Sequence, residues 1–377
     1  FLNDHFPDKR TLYKAIFLKG YQWPFDAHKI SNHGSSLIDL LVFREKTWND
    51  RRVFVDFTRN PSWEGDDSFP YDDLDPEVFN YLYNSDSLKA TPVERLKAMN
   101  PASIDLYLEN SIDITSEPLE IAVCAQHNNG GLKGNIWWES ELKHLFPVGE
   151  VNGSHGVHRP GGSALNSGQV GSLRAAHFIN RKYKNDTGPP ALLIKEAGDQ
   201  LKAELTQAET WILSGRTGVN GKYFDEIRLR MSDAAGIVRT REKILKASED
   251  AAAMLVNIHL MAGAGSVTEL AEAFQLADQC LTHFIYLEAV RIYIEGGGRS
   301  RGSYLVTEED IFNSSSLPAS RLSEDLCKYD REIENKIIEI RYNNLTVSFK
   351  LEQPGELPKQ NLWFEKVWKD YMLEKYF

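Results

Sequence analysis

The side chains with the clearest chemical potential lie between residues 118 and 180, where glycine-rich turns alternate with apolar runs. A first turn, residues 126–131, carries amides, an imidazole and two glycines, and a second turn contains Gly149 and Glu150. A third loop, residues 155–162, holds two histidines, an arginine and a glycine pair. Such residues can hydrogen-bond hydroxyls, hold an anion and let backbone approach a ligand closely. We therefore expect a ligand site in this stretch.

Two apolar runs and one helix would have to position these turns. Residues 119–124 are predicted to form a strand that opens onto the first turn, and residues 145–148 a second strand that ends at Gly149. A helix is predicted to follow over residues 163–179. A strand that ends in a glycine-rich loop and continues as a helix presents backbone N–H groups and a positive helix end to an electron-rich ligand. In α/β folds such ligands bind beyond the carboxyl ends of strands.

The order and approximate spacing of these segments resemble the last FAD-contacting part of the succinate dehydrogenase/fumarate reductase flavoprotein family, which includes L-aspartate oxidase. Members carry a His-Tyr-x-Met-Gly-Gly-like turn, then Gly-Glu after a strand, then His-Gly-x-Asn-Arg-x-Gly-Gly-Asn-Ser-Leu leading into a helix. The corresponding parts here are residues 126–131, Gly149 with Glu150, and residues 155–165. The resemblance implies FAD as the cofactor.

Two departures from the family pattern bear on the substrate and on the helix start. Gln126 stands where the succinate and fumarate enzymes have a substrate-binding histidine. Ser163, Ala164 and Leu165 replace Asn-Ser-Leu. The resemblance is therefore to a branch of uncharacterised bacterial FAD-dependent oxidoreductases rather than to succinate dehydrogenase itself.

The resemblance assigns cofactor contacts to named residues. Glu150 would accept hydrogen bonds from ribose or ribityl hydroxyls, the alternative being a carboxylate that only meets solvent. The first helical turn would stabilise negative charge on a reduced flavin through its backbone N–H groups and dipole, which need no particular side chains. The expected cofactor-binding residues are Asn129, Gly130, Gly131, Gly149, Glu150, Gly162, Ser163, Ala164 and Leu165.

The expected catalytic residues are Arg159, Gln126 and His127. Arg159 matches the family arginine that holds a substrate carboxylate, a role that suits a permanently charged, bidentate guanidinium. An arginine salt-bridged within its own loop is the alternative. Gln126 and His127 would flank the same space, but an amide carries no charge, which weakens the case for a dicarboxylate. The histidines of this stretch match no metal-ligand spacing, so no metal is expected.

Composition limits the classes of partner and compartment. A chain of 377 residues can hold two or three domains. The net charge of −11 argues against nucleic acid, because binding phosphates requires a basic surface. The 3 cysteines show no paired spacing, which fits a reducing cytoplasm. No apolar run reaches the roughly 18 residues of a membrane helix, so no span is predicted.

We expect an α/β plus α fold that contains part of a flavoprotein FAD-binding domain. Residues 1–115 are predicted to be a capping-domain segment, residues 116–185 the C-terminal part of the FAD-binding domain, and residues 186–377 a helical C-terminal domain with a terminal hairpin. Residues 228–239 and 299–304 resemble two elements of the family's helical domain.

Local patterns predict the remaining elements. Thr91, Pro92 and Glu94 form the signature of a capped helix start. The predicted apolar face of the helix over 269–294 comprises Leu270, Phe274, Ala277, Leu281, Phe284 and Glu288. The other predicted elements are a helix at 35–42, a strand at 51–57, a surface loop from 60 to about 86, helices at 91–99, 101–110 and 241–260, a hairpin at 337–351 and a docking helix within 363–377. That last helix could meet a partner or pack within the chain.

The main functional hypothesis is an FAD-dependent oxidoreductase that transfers a hydride between flavin N5 and a small organic substrate, such as a carboxylate. The chain lacks an initiator methionine and a Gly-x-Gly-x-x-Gly after a strand. We therefore expect the C-terminal portion of a longer polypeptide, or half of a split enzyme that needs an upstream or separate FAD-binding chain. Alternatives are a fumarate reductase or succinate dehydrogenase flavoprotein, and a non-catalytic docking subunit. The substrate, the reaction direction and the electron-transfer partner stay open.

Overall fold

Helices dominate the protein, which is represented by a computed structural model. The structure describes residues 1–61, 69–124, 130–155, 162–184, 190–307, 333, 335–343, 346–355, 364–373 and 375. The helices in this part are α1 (Lys9–Tyr21), α2 (Ser35–Phe43), α3 (Pro76–Asn84), α4 (Pro92–Met99), α5 (Pro101–Glu109), α6 (Ser163–Lys182), α7 (Pro190–Leu213), α8 (Asn220–Ala234), α9 (Arg241–Met261), α10 (Leu270–Glu295) and α11 (Phe364–Met372). Short helical turns lie at Leu2–His5, Ala27–Lys29, Ser31–His33, Arg44–Trp48, Tyr71–Asp73, Gly149–Val151 and Val267–Glu269.

The strands in the described residues form three two-stranded sheets. They are β1 (Val53–Val55), β2 (Leu119–Ile121), β3 (Val238–Thr240), β4 (Leu305–Thr307), β5 (Ile337–Asn343) and β6 (Thr346–Glu352). β1 pairs antiparallel with β2, β3 parallel with β4, and β5 antiparallel with β6. The α/β expectation is thus met in its coarse form, a helix-rich chain with small sheets.

Several local predictions are confirmed. α2 and α6 begin at the predicted residues, and the predicted hairpin is the β5–β6 pair, whose turn lies outside the described residues. Thr91 and Glu94 form a capping box at the start of α4, each side chain bonding the other's backbone N–H. The strand predicted at 51–57 exists as the shorter β1. Sequence periodicity and cap residues predict these elements because both act within a few residues.

The strand predicted at 145–148 is wrong. Val148 has extended backbone, but residues 145–148 join no sheet in the described part of the chain. Pro147 has no N–H to offer a ladder, and the Leu145 and Val148 side chains are exposed rather than packed. An apolar run therefore did not suffice to make a strand without a partner.

The loop predicted from 60 to about 86 contains a helix. Asp75 caps α3 by accepting from the N–H of Glu77 at 3.0 Å, and Pro76 takes the first helical position. Asp and Pro were interpreted as loop formers, but they also start helices. Nearby Asp73 accepts from the Tyr13 hydroxyl at 3.0 Å and pairs with Arg10.

The chain forms two compact units, each discontinuous in sequence. Unit 1 comprises Phe1–Gln126, Ser232–Ile244 and Gly298–Asp330, and unit 2 comprises His127–Met231, Leu245–Gly297 and Arg331–Phe377. The three-domain division drawn from the sequence stays a prediction.

Unit 1 is organised around α1 and α2. The buried faces of these helices contribute Leu12, Leu37, Leu40 and Leu41 to one apolar core. Lys19 on α1 donates to the carboxylate of Asp39 on α2 at 2.6 Å, with both side chains mostly buried. A buried ion pair thus fixes the register of the two helices where their apolar surface alone would allow sliding. Cys124, after β2, is exposed.

The core of unit 2 lies among α7 to α10. Trp211, Ile227, Met254, Leu276 and Cys280 belong to its fully or nearly fully buried cluster. The predicted face of α10 is displaced. Leu270, Phe274 and Ala277 are only partly buried, whereas the buried residues of that turn series are Ala273, Leu276, Cys280, His283, Phe284, Leu287 and Glu288. α10 is apolar on more than one side, so its periodicity alone does not fix which side faces the core.

α11 packs within unit 2, as one of the two sequence interpretations allowed. The Tyr371 hydroxyl lies 2.7 Å from Nδ1 of His177 on α6, and the two rings stack with centroids 5.7 Å apart. Trp368 and Met372 remain exposed. Of the helices that the structure describes, none is both long and apolar enough to cross a membrane.

Candidate functional site

Two of the predicted cofactor turns are joined directly by backbone hydrogen bonds in unit 2. The N–H of Leu132 donates to the carbonyl of Val151 at 2.8 Å, and the N–H of Gly153 donates to the carbonyl of Leu132 at 2.9 Å. These bonds set the segment after Gly131 beside the segment after Glu150 in a parallel bridge. The loop of residues 130–155 is therefore one folded piece that carries both turns.

Gly131 is required at the point of closest approach. Its φ is +149°, and a Cβ built there would lie 2.3 Å from the carbonyl oxygen of Val151. A Cβ on Gly153 would likewise lie 3.0 Å from the carbonyl oxygen of Gly131. The glycines thus let two backbone segments meet where any side chain would separate them.

Asn152 holds the base of this loop, and the sequence reasoning missed it. Its buried side chain donates to the carbonyl of Pro147 at 3.1 Å and accepts from the N–H of Ser154 at 3.0 Å. Both partners lie within five residues, so an Asx-type turn after Gly149-Glu150 was a signal that could have identified it.

A face of small residues on α6 receives the loop. Ala164, Gly168, Gly171 and Ala175 are the buried residues of this helix. A Cβ on Gly168 would lie 3.4 Å from Cα of Gly149, so the Gly149–Val151 turn rests on the helix backbone. The spacing of three and four residues places these positions on one side of the helix. The second turn is thereby held near the amino end of α6.

Three predicted glycines leave their backbone facing open space. Gly130, Gly149 and Gly162 have φ values of +112°, +79° and +75°, and no described atom lies within 4 Å of a Cβ built on any of them. Open backbone at a glycine lets a flat ligand approach more closely than any other residue allows. These three positions therefore fit the cofactor contacts expected of them.

The other predicted cofactor residues differ in exposure. Glu150 is exposed, and Leu165 is 71% exposed on the first turn of α6. Ser163 is half-buried and Ala164 is buried against the loop, so Ala164 could offer a ligand only its backbone. Gly162 caps α6 without a side chain, and the first N–H groups of a helix have no intrahelical acceptor. The start of α6 can therefore donate backbone hydrogen bonds to a ligand.

The predicted catalytic residues Arg159, Gln126 and His127, and the predicted cofactor residue Asn129, lie outside the described residues. Their assignment stays a prediction. Among the described residues, no group of three or more His, Cys, Asp or Glu side chains could hold a metal ion. A cavity of about 270 Å³ lies in unit 1 between the amino-terminal turn and α1, and no predicted site residue lines it.

No family model matches the chain. It is 29% identical over 203 residues to one of the subunits of the CoM/CoB fumarate reductase of Methanothermobacter marburgensis, covering 52% of this chain and 35% of that protein. It is 27% identical over 158 residues to L-aspartate oxidase of Vibrio cholerae, covering 41% and 28%. This chain is a relative of the fumarate reductase and L-aspartate oxidase flavoproteins. An uncharacterized FAD-dependent oxidoreductase of Methanocaldococcus jannaschii is 29% identical over 165 residues, covering 42% and 28%.

Solved structures of this flavoprotein group share the fold. The E. coli quinol fumarate reductase superposes with a TM-score of 0.52 at 18% identity, covering 71% of this chain and 44% of that one. Sdh1 of Mycobacterium smegmatis, in a complex with UQ1, gives 0.50 at 18% identity, covering 77% and 46%. The chain spans about a third of the length of the curated relatives it matches.

Proposed function

We propose that this chain is part of an FAD-dependent oxidoreductase that transfers a hydride between flavin N5 and a small organic substrate. The observation that carries the proposal is the union of the two glycine turns at Leu132 and Val151, beside the amino end of α6. Residues far apart in sequence thereby form one open backbone surface, and the relatives that match this part of the chain are flavoproteins.

Each cofactor residue has a role that its environment permits. Glu150, exposed beside Gly149, would accept hydrogen bonds from ribose or ribityl hydroxyls. The backbone N–H groups at Ser163, Ala164 and Leu165 would donate to the electron-rich edge of the ring system. FAD would supply the redox chemistry when bound, as the hydride carrier. The protein's own contribution is to hold the ring against the glycine turns and to stabilise the charge that develops there.

Arg159, Gln126 and His127 would handle the substrate. Arg159 would hold a carboxylate through a bidentate pair, which orients the reacting carbon. Gln126 would donate to a carbonyl or accept from a hydroxyl, and His127 could give or take a proton near neutral pH. The class of substrate proposed is therefore a small carboxylate, with an electron-transfer partner outside this chain.

Binding of FAD to the purified chain tests the cofactor assignment, by its visible absorbance and by titration of flavin fluorescence. Glu150→Ala should weaken FAD binding about tenfold or more, because a charged acceptor of hydrogen bonds is lost. Glu249→Ala, which removes an exposed carboxylate on α9, is the matched control and should bind as wild type. Equal affinity in both variants would remove Glu150 from the site.

Arg159→Ala tests the substrate assignment separately. Turnover should fall about a hundredfold or more while FAD stays bound, since the charge that positions the carboxylate is gone. Near-wild-type turnover in that variant would refute the role of Arg159.

A second candidate is a subunit that docks with a separate FAD-binding chain. The observation that favours it is the set of exposed apolar side chains around the predicted site: Leu132, Ile136, Val148, Val151, Leu165 and Val170. A surface this apolar commonly meets another polypeptide. If the purified chain stays colourless with added FAD, this candidate is favoured over the first. A fumarate reductase activity is tested directly with fumarate and a reduced dye.

A further inference from the structure

The loop that carries the two glycine turns is tied to the β5–β6 hairpin through Lys133. Lys133 follows the hydrogen-bonded Leu132 directly in the chain. Its ammonium group pairs with Glu339 on β5 and lies 3.3 Å from Oε1 of Glu352 on β6. The Glu339 side chain is only 10% exposed, against 48% for Lys133. One cation therefore bridges both strands of the hairpin to the loop.

A second ion pair joins the same two parts of unit 2. Arg341 on β5 pairs with Glu141 in the loop and also contacts Oε1 of Glu339 at 3.1 Å. Because Glu339 is shared by Lys133 and Arg341, the two ties form one network rather than two isolated pairs. Networks of this kind hold position better than single exposed pairs do.

The hairpin itself is anchored on the helical core. Tyr342 on β5 meets Phe284 of α10 edge to face, with centroids 6.2 Å apart. The seven paired positions of β5 and β6 make a regular antiparallel ladder. An element held by α10 thus reaches the loop of residues 130–155 and grips it at two points, Lys133 and Glu141.

We propose that the β5–β6 hairpin is a clamp that sets the position of the 130–155 loop, with Lys133 and Arg341 as positioning residues for the two glycine turns. Its consequence for FAD rests on the proposed function. The clamp acts through Leu132, whose backbone bonds to Val151 and Gly153 hold the two turns together. Neither Lys133 nor Arg341 would touch the ligand.

The charges of the clamp agree with this geometry. The hydrogen bond from Lys133, with a smaller contribution from Arg341, holds the pKa of Glu339 below its usual value. Lys350 and then Lys133 do the same for the pKa of Glu352. Both carboxylates are therefore ionised at neutral pH, and the clamp is closed there.

Hydrogen exchange of the backbone amides in residues 130–155, measured on the full chain without FAD, tests the clamp. Lys133→Met and Arg341→Met should each speed exchange at Leu132 and Gly153 about three- to fivefold, and the double variant about tenfold or more. Lys133→Arg should restore the wild-type rate, because a guanidinium can bridge the same carboxylates. Lys350→Met is the matched control, since Lys350 pairs with Glu352 at 2.6 Å on the hairpin alone.

FAD titration and the visible circular dichroism of bound flavin give a second readout. The double variant should bind FAD several-fold more weakly and change the dichroism, whereas Lys133→Arg and Lys350→Met should not. Unchanged exchange in the double variant overturns the clamp whether or not FAD binds. Faster exchange with unchanged FAD affinity and dichroism overturns the positioning role. If wild type binds no FAD, the proposed function fails, and exchange alone then decides whether the hairpin holds the loop.

Discussion

The indole of Trp138 lies directly against Gly171 of α6, where an added Cβ would come within 2.1 Å of Cε2 of the ring. Trp138 is nearly fully buried and has a φ of +64°, which few residues other than glycine adopt. The ring therefore occupies the space that a side chain at 171 would need. This contact seats the 130–155 loop on the helix.

Gly171→Ala should destabilise the protein by about 2 kcal/mol, because overpacking forces the indole or the helix to move. The measurement is the urea dependence of unfolding followed by tryptophan fluorescence. Gly198→Ala on α7 is the matched control, since nothing lies within 4 Å of its built Cβ. That control should stabilise by roughly 0.5 to 1 kcal/mol through helix propensity. Equal effects of both changes would contradict the Trp138 contact.

Gly131→Ala should separate the two glycine turns. The new methyl group would collide with the Val151 carbonyl, so the Leu132 and Gly153 hydrogen bonds should open. Gly130→Ala shares the strain of a positive φ but has open space around its Cβ, which makes it the control. Amide exchange at residues 132 and 153 should accelerate at least about tenfold more in the first variant. Similar rates in both would show that strain, not contact, matters there.

The stability of the unit 2 core should depend on pH through His283. Burial, with the nearby Arg230 charge second, lowers the pKa of His283 to about 4. The unfolded chain therefore binds more protons between that value and an ordinary histidine pKa of about 6.5. Stability should be fully present above pH 6.5 and fall as the pH drops toward 4, by up to about 3 kcal/mol.

His283→Gln tests this prediction because glutamine cannot be protonated. The slope of unfolding free energy against pH between 6.5 and 4 should be shallower in this variant than in wild type. His259→Gln, a change at an exposed position on α9, should keep the wild-type slope. A slope that His283→Gln leaves intact would assign the pH dependence to other groups.

Lys19→Met should expose the cost of burying Asp39. Burial raises the pKa of Asp39 and the Lys19 hydrogen bond opposes that rise, so the variant's Asp39 pKa should climb further. A group with a raised folded pKa favours folding at low pH and loses that advantage as pH rises. The variant should thus lose about 3 kcal/mol at pH 7.5 and less at pH 5.

The double variant Lys19→Met/Asp39→Asn controls for the loss of the charge pair. With no buried charge left, it should recover much of the stability and show no difference between the two pH values. Thermal or urea unfolding at both pH values provides the comparison. An equal loss for the single variant at pH 5 and 7.5 would mean that Asp39 does not change its ionisation.

The parts of the fold that the sequence predicted are those fixed by local contacts. The capping box at Thr91 and the start of α6 at Ser163 depend on residues within one turn, so pattern sufficed. The strand at 145–148 failed because pairing needs a partner that the run itself does not reveal. The face of α10 was displaced for a similar reason, as apolar residues on several sides leave the choice to neighbouring helices.

The site was predictable as an ordered set of turns but not as an assembly. Spacing and resemblance predicted that Gly131 and Glu150 belong to one site, and the backbone bonds between their segments agree. The roles of Trp138 and Lys133 were missed because their partners, Gly171 and Glu339, lie far along the chain. Such contacts are tertiary, and no local signal announces them.

The two described cysteines make the units separately addressable by alkylating reagents. Cys124 in unit 1 is open to solvent, whereas Cys280 is enclosed by the α7–α10 core, where burial raises its pKa to about 11. A maleimide will therefore mark the first thiol in the native state and reach the second only when those helices part. Mass spectrometry of the two labelled peptides would then time the opening of the bundle without any engineered probe.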